Sequence, residues 1–137
     1  MTGTQFERWL CKTFKLEGWW ALNISKDSRG AQPFDVIAIK DDLFLAVDCK
    51  VCGNNKFQIR RIEDNQWLSF QTVSERTSGI VGIMIWYDGQ VYFYSYYELC
   101  SVRDNGVKLI EVDEEHLWMG REKVEENSRK INEVLNK

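Results

Sequence analysis

The chain has a single proline, Pro33, a single histidine, His116, and no apolar run approaching the roughly 20 residues of a membrane span. Proline-rich linkers, internal repeats and low-complexity stretches are also missing, so the 137 residues offer no obvious place to divide. At this length, and with 44% hydrophobic residues, such a chain buries about two thirds of its unfolded surface in one core. One globular domain is therefore expected. The solitary histidine sits in an acidic stretch, which argues against a histidine general base. Four cysteines, Cys11, Cys49, Cys52 and Cys100, are scattered through strand and helix patterns. That distribution suits reduced thiols better than a disulfide framework. Cys49 and Cys52 make an isolated C-x-x-C, and the four ligands that zinc takes are not at hand around it. The first residues show no basic stretch followed by an apolar one, so a cytoplasmic protein without a membrane partner is expected.

Basic residues are also in deficit, and the net charge of -3 runs against a nucleic-acid partner, because such binding is driven by Lys and Arg neutralising phosphates. The charge is nevertheless polarised along the chain. Lys26, Arg29, Lys40, Lys50, Lys56, Arg60 and Arg61 fall in the first half, whereas the acids concentrate after Glu98, in Glu111 to Glu115 and Glu122 to Glu126.

What is present is an ordered series of apolar patterns. Thr4 to Leu16 carries Phe6, Leu10, Thr13 and Phe14 near helical spacing and stops at Gly18. Trp19 to Ser25 reads as a strand, and Lys26 to Gln32 as a polar loop. Pro33 to Lys40 and Leu43 to Cys52 are two apolar strands separated only by Asp41-Asp42, which predicts an antiparallel hairpin. Ile62 to Thr77 reads as a helix with Ile62, Gln66, Phe70 and Val73 on one side. Ile80 to Tyr87 and Val91 to Tyr97 are strands joined by a turn at Asp88-Gly89-Gln90. Val107 to Val112 predicts a short strand and Arg121 to Leu135 a charged helix. The tryptophans Trp19, Trp20, Trp67, Trp86 and Trp118 are read as core material. The fold class is α/β, a central mixed sheet flanked by helices.

The hairpin carries the chemistry. With Asp41-Asp42 as its loop, Lys40 faces Leu43, Ile39 faces Phe44, and Asp35 comes opposite Asp48. Two directly opposed carboxylates repel unless a cation lies between them. Strand alternation puts Lys50 on the Asp48 face and turns Val47 and Cys49 the other way. Hard anionic oxygens suit Mg²⁺ or Mn²⁺, and a metal with an adjacent ammonium suits phosphodiester hydrolysis. Glu7 shares its helix side with Leu10, Cys11 and Phe14 and is expected to look toward the sheet, as an outer metal ligand through water. Gln66, an amide on an otherwise apolar helix face, is expected to have a polar partner.

Taken together, Glu7, the Ser28-Arg29-Gly30 loop, Pro33-Phe34-Asp35, Asp48-Cys49-Lys50 and Gln66 resemble the motif order of the PD-(D/E)XK nuclease superfamily. Within it they are similar to the Holliday junction resolvases of the Hjc and RecU kind, over roughly Gly3 to Tyr97. The chain departs from that pattern in placing Phe34 between the proline and Asp35, and in carrying Asp48 where glutamate is commoner. The resemblance implies a restriction-endonuclease-like nuclease core over residues 1–100, with residues 101–137 an extension of the same domain carrying a short strand and a charged helix, and a divalent-metal-dependent DNA endonuclease using Mg²⁺ or Mn²⁺. It further implies branched DNA as substrate and a homodimer, since symmetric junction cleavage needs two sites. Metal-site oxygens would come from Glu7, Asp35, Asp48 and the Cys49 backbone carbonyl. Lys50 would be the catalytic lysine, Gln66 its support, and Ser28 a contact near the substrate phosphate. Lys26, Arg29, Lys56, Arg60 and Arg61 are the candidate DNA-binding cations. The rival readings are a sequence-specific or nicking nuclease of the same superfamily and a non-catalytic DNA-binding or interaction protein retaining the fold.

Overall fold

The computed structural model describes residues 1–24 and 33–135, with Leu135 described in its backbone alone. The Lys26, Ser28 and Arg29 positions lie outside the described residues. The chain opens with α1 (Gly3–Leu16), whose start is set by a capping box: the Thr2 hydroxyl accepts the Gln5 N–H at 3.1 Å and Gln5 Oε1 accepts the Thr2 N–H at 2.8 Å. Strands β1 (Trp20–Asn23), β2 (Val36–Lys40) and β3 (Leu43–Val51) follow as an antiparallel meander with Trp20 paired to Ile39, Ile39 to Phe44 and Lys40 to Leu43. The hairpin register is the expected one, and Asp41 turns the chain with φ 54°.

Beyond β3 come β4 (Lys56–Gln58), a 3₁₀ turn (Ile59–Arg61), α2 (Asp64–Arg76), β5 (Ile80–Tyr87) and β6 (Gln90–Ser95). The crossover through α2 makes β3 and β5 parallel, while Asp88-Gly89, both at positive φ, fold β5 back onto β6. Then follow α3 (Tyr96–Asp104), β7 (Leu109–Glu111), β8 (Leu117–Met119) and α4 (Arg121–Leu135). The main sheet runs β1-β2-β3-β5-β6-β8, and β4 pairs with β7 in a separate two-stranded ribbon.

Several sequence expectations are corrected. Tyr96 and Tyr97 do not extend β6 but begin α3, because Ser95 caps the helix and Glu98 reaches back to the Ser95 N–H. The segment after Gly53 is not only loop, since β4 and the 3₁₀ turn form there by pairing with β7. Leu117–Met119 is a sheet strand that its short, interrupted pattern concealed. Trp20 is 58% exposed rather than core, being on the edge strand β1.

The sheet has two covered faces. Phe6, Leu10 and Phe14 of α1 pack with Val36, Ala38, Leu45, Val47 and Cys49 of the sheet and with Val124 and Ile131 of α4. On the other face, Phe70 of α2 and Leu99 of α3 pack with Ala46, Val81, Ile83, Ile85 and Tyr94. Burying each of the fully enclosed Phe6, Phe14, Phe57 and Phe70 contributes about 2–3 kcal/mol. β3 is buried continuously from Leu45 to Cys49, as a central strand covered on both sides should be. Asp48 is the one charged residue inside that run.

Candidate active site

Regular pairing of β2 with β3 ends at Val36 opposite Val47. One residue earlier, Asp35 donates its N–H to the Val47 carbonyl at 3.0 Å, and its Oδ2 accepts the Cys49 N–H at 2.8 Å. The Asp35 carboxylate thus stands where a carbonyl would continue the ladder, so the strand begins later than Pro33 and Asp35 is held by side chain as well as backbone. Asp48 is 0% exposed, and neither of its carboxylate oxygens has a hydrogen-bond partner. Burial, followed by the charge of Asp35, pushes its pKa up to about 8, with Lys50 pulling the other way. Asp35 is raised to about 6 by burial, against the opposing hydrogen bond from Cys49; the charge and hydrogen bond of Glu7 add to the rise. Glu7 is half-buried on α1 and therefore meets the Asp35 carboxyl directly.

Lys50 extends on the α2 side of the sheet. Its Nζ donates to the Arg61 carbonyl at 3.1 Å and to Gln66 Oε1 at 3.2 Å. The same Gln66 oxygen accepts the Glu63 N–H at 3.0 Å, so the amide that closes the first turn of α2 also fixes the lysine. This meets the expectation of a polar partner for Gln66. Gln71, further along α2, is exposed and bonds Glu75.

The structure therefore brings Glu7, Asp35, Asp48, Lys50 and Gln66 together. Of the candidate DNA-binding cations, Lys56, Arg60 and Arg61 are exposed. Arg61 is otherwise engaged: its guanidinium reaches Cys52 Sγ at 3.6 Å and the Val51 carbonyl at 3.2 Å, and lies 5.4 Å from the centre of the Phe57 ring. It braces the end of β3. Sequence reasoning passed over Arg103 and Lys108, which sit among acids in the chain but fold back beside Arg60. The pairing of β4 with β7 that brings them there crosses more than 50 residues, and no local pattern signals it.

Among the described residues, no three Asp, Glu, His or Cys side chains form a metal cage by themselves. Mg²⁺ does not need one, because it binds through one or two carboxylates plus water and substrate phosphate. The Asp48 carboxyl group fits such an ion: two buried oxygens without donors, beside a second carboxyl group, are costly to ionise, and a cation relieves that cost.

Comparison with known proteins agrees with this geometry. Residues 1–125 match the family model described as Hjc, archaeal Holliday junction resolvase. Among solved structures, the Holliday junction resolvase Hjc of the archaeal hyperthermophile Archaeoglobus fulgidus superposes with a TM-score of 0.58 at 18% identity. The match covers 89% of this chain and 99% of that one. No curated protein matches the chain. The chain belongs to the archaeal Holliday junction resolvase family of PD-(D/E)XK nucleases, and is a divalent-metal-dependent, junction-resolving endonuclease.

Proposed function

We propose that junction cleavage by this protein takes place at Asp35, Asp48 and Lys50, with Mg²⁺ or Mn²⁺ as the ion and two copies of the chain acting as a homodimer. The observation that carries the site assignment is the Asp48 carboxylate, fully buried and without a partner on either oxygen, two residues from a lysine locked in place. Asp35 and Asp48 would hold the metal, with the Cys49 carbonyl beside them and Glu7 acting on Asp35 or through water. A bound divalent ion supplies Lewis acidity to the scissile phosphate and lowers the pKa of a coordinated water. The protein's own part is positioning and charge. Lys50 has three N–H donors, and Arg61 and Gln66 take two of them. The third is left to orient water or to meet a non-bridging phosphate oxygen as negative charge develops there. Because Gln66 is anchored to the α2 backbone, the ammonium is held before substrate arrives rather than ordered by it.

The homodimer reading is supported by an uncovered apolar strip on the α2 side of the sheet. Trp20 is paired to Ile39 across β1 and β2, and together with Leu22 these residues are 39–58% exposed. A pair of two-fold related sites on such a surface would place one scissor on each of two opposed strands.

The test is cleavage by the purified protein, with Mg²⁺ or Mn²⁺, of a four-way junction, a flap, linear duplex and single-stranded DNA. Metal-dependent, symmetric cuts in the junction that Asp48→Asn abolishes are the expected result. Equal cutting of linear duplex, or undiminished cutting by the variant, would overturn the assignment.

A further inference from the structure

A groove of about 730 Å³ lies between the 3₁₀ turn after β4 and the segment between α3 and β7. Among the described residues its charged lining consists of Arg60, Arg103 and Lys108, with no carboxylate. In a chain with 21 acidic and 18 basic residues, three cations with Asp104 as the one acid paired to them are a local reversal of the overall charge. Between the cations the groove exposes Val107 and Leu109, at 44% and 40%, so apolar surface alternates with positive charge. Arg103 is held over the ring of Trp67, 4.3 Å from its centre, with Asp104 of its own helix as an exposed partner at 3.3 Å. A stacked guanidinium keeps its edge available for phosphate.

The groove is wired to the catalytic lysine from both sides. Arg60 on one wall precedes Arg61, whose carbonyl accepts Lys50 Nζ; Trp67 beneath Arg103 follows Gln66, whose Oε1 accepts the same Nζ. The Ile59 N–H, donating to the Lys108 carbonyl at 3.0 Å, ties the two walls together. The same backbone segments therefore carry the groove's cations and hold Lys50.

We infer that this groove is a DNA subsite in which Arg60, Arg103 and Lys108 hold the sugar-phosphate backbone of one junction arm as it leaves the active site. Phosphates meet the three cations, and deoxyribose meets Val107 and Leu109. Such contacts position the duplex without reading its sequence. The inference rests on the nuclease reading of the Lys50 site and extends it to a surface built partly by the C-terminal third of the chain.

The decisive experiment compares the full-length protein with Lys108→Ala, Arg103→Ala and the double variant. Affinity for a synthetic four-way junction is measured across a salt series, and single-turnover cleavage is measured at saturating protein. Each lost phosphate contact should reduce the slope of log affinity against log salt by about 0.9. Lys108→Ala is expected to show one such step and the double variant about two. Trimming the junction arms until they no longer reach the groove should erase the difference between variant and parent. Lys108 is exposed, so its variant stays informative if loss of the Trp67 stack weakens the fold. Parent-like slopes in an intact Lys108→Ala and double variant, with the parent protein cutting junctions normally, would overturn the groove and leave the nuclease reading standing. Conversion of the variants to monomers would instead mark the groove as a subunit contact and overturn it as a DNA site. A parent protein that neither binds nor cuts junctions would overturn both.

Discussion

Gln66 Oε1 accepts two hydrogen bonds, from the Glu63 N–H at the start of α2 and from Lys50 Nζ on β3. The helix cap and the proposed catalytic lysine therefore share one acceptor. Gln66→Ala is expected to cost about 0.5–1 kcal/mol through the cap and to lower kcat about 10- to 100-fold, the range found when an orienting partner is removed. Gln71→Ala, on the exposed side of the same helix, should stay within about 0.5 kcal/mol of the parent and keep full activity. Melting and steady-state kinetics on the pair check this, and indistinguishable variants would show that Gln66 is only a cap. Lys50→Ala should lower kcat much more than metal affinity, because its proposed contribution is to the transition state.

Asp48 in the metal-free protein carries a stability penalty with a definite pH signature. Its folded pKa, raised to about 8 from 3.8, lies above that of the unfolded chain, so the folded state keeps a proton that the unfolded state has released. Stability should therefore fall as pH rises from about 4 to about 8, with Asp35, raised to about 6, contributing to the lower part of the decline. Asp48→Asn should flatten the curve, melting higher than the parent at pH 8 and near it at pH 4, while abolishing cleavage. Mg²⁺ should raise the parent's Tm at pH 8, since it binds the ionised folded pair, and should leave the variant's unchanged. A parent protein whose Tm climbs between pH 5 and 8 without metal would contradict the buried, unpaired carboxylate.

Trp20 and Ile39 test the proposed dimer. Facing each other across β1 and β2 and largely uncovered, they contribute little to the monomer's core. Trp20→Glu with Ile39→Lys is expected to leave the fold intact and to shift the protein from dimer to monomer in light scattering, with junction cleavage reduced to nicking. A dimer that survives the double substitution would place the interface elsewhere.

Much of this site was legible because it is local. Asp35, Asp48 and Lys50 lie within one hairpin, and strand alternation with a two-residue turn determines which of them share a face. Gln66 was legible by contrast, as an amide on the same side as Ile62 and Phe70. The β4–β7 ribbon was not, because its three-residue strands exist only through pairing with a partner more than 50 residues away, and the groove beside it was hidden with it. Helix α3 did carry a local signal, the Ser95-Tyr96-Tyr97-Glu98 capping box, masked by aromatics that continue the β6 pattern. The exact placement of Asp35 depends on a side chain replacing a backbone acceptor, which no period of apolar residues encodes.

His116 gives the last prediction, at the join between α3 and the start of β8. Its ring stacks on Tyr94 with centroids 4.0 Å apart, Nδ1 meets Asp113 at 2.7 Å, and Nε2 meets Glu98. Burial disfavours the imidazolium, but the hydrogen bonds its ring N–H groups donate to Asp113 and Glu98, and the charge of both, outweigh it and raise the pKa above the usual 6.5. A histidine raised in this way stabilises fully below its unfolded pKa, and the contribution is lost as pH climbs through the folded value. His116→Ala should therefore cost about 1 kcal/mol at pH 6, kept small because both carboxylates are about half exposed, with a smaller deficit at pH 9. Thermal melts at the two pH values, with His116→Gln to separate ring stacking and charge from hydrogen bonding, measure it. Equal destabilisation of His116→Ala at both pH values would show that the Tyr94 stack, not the charge, is what holds this segment.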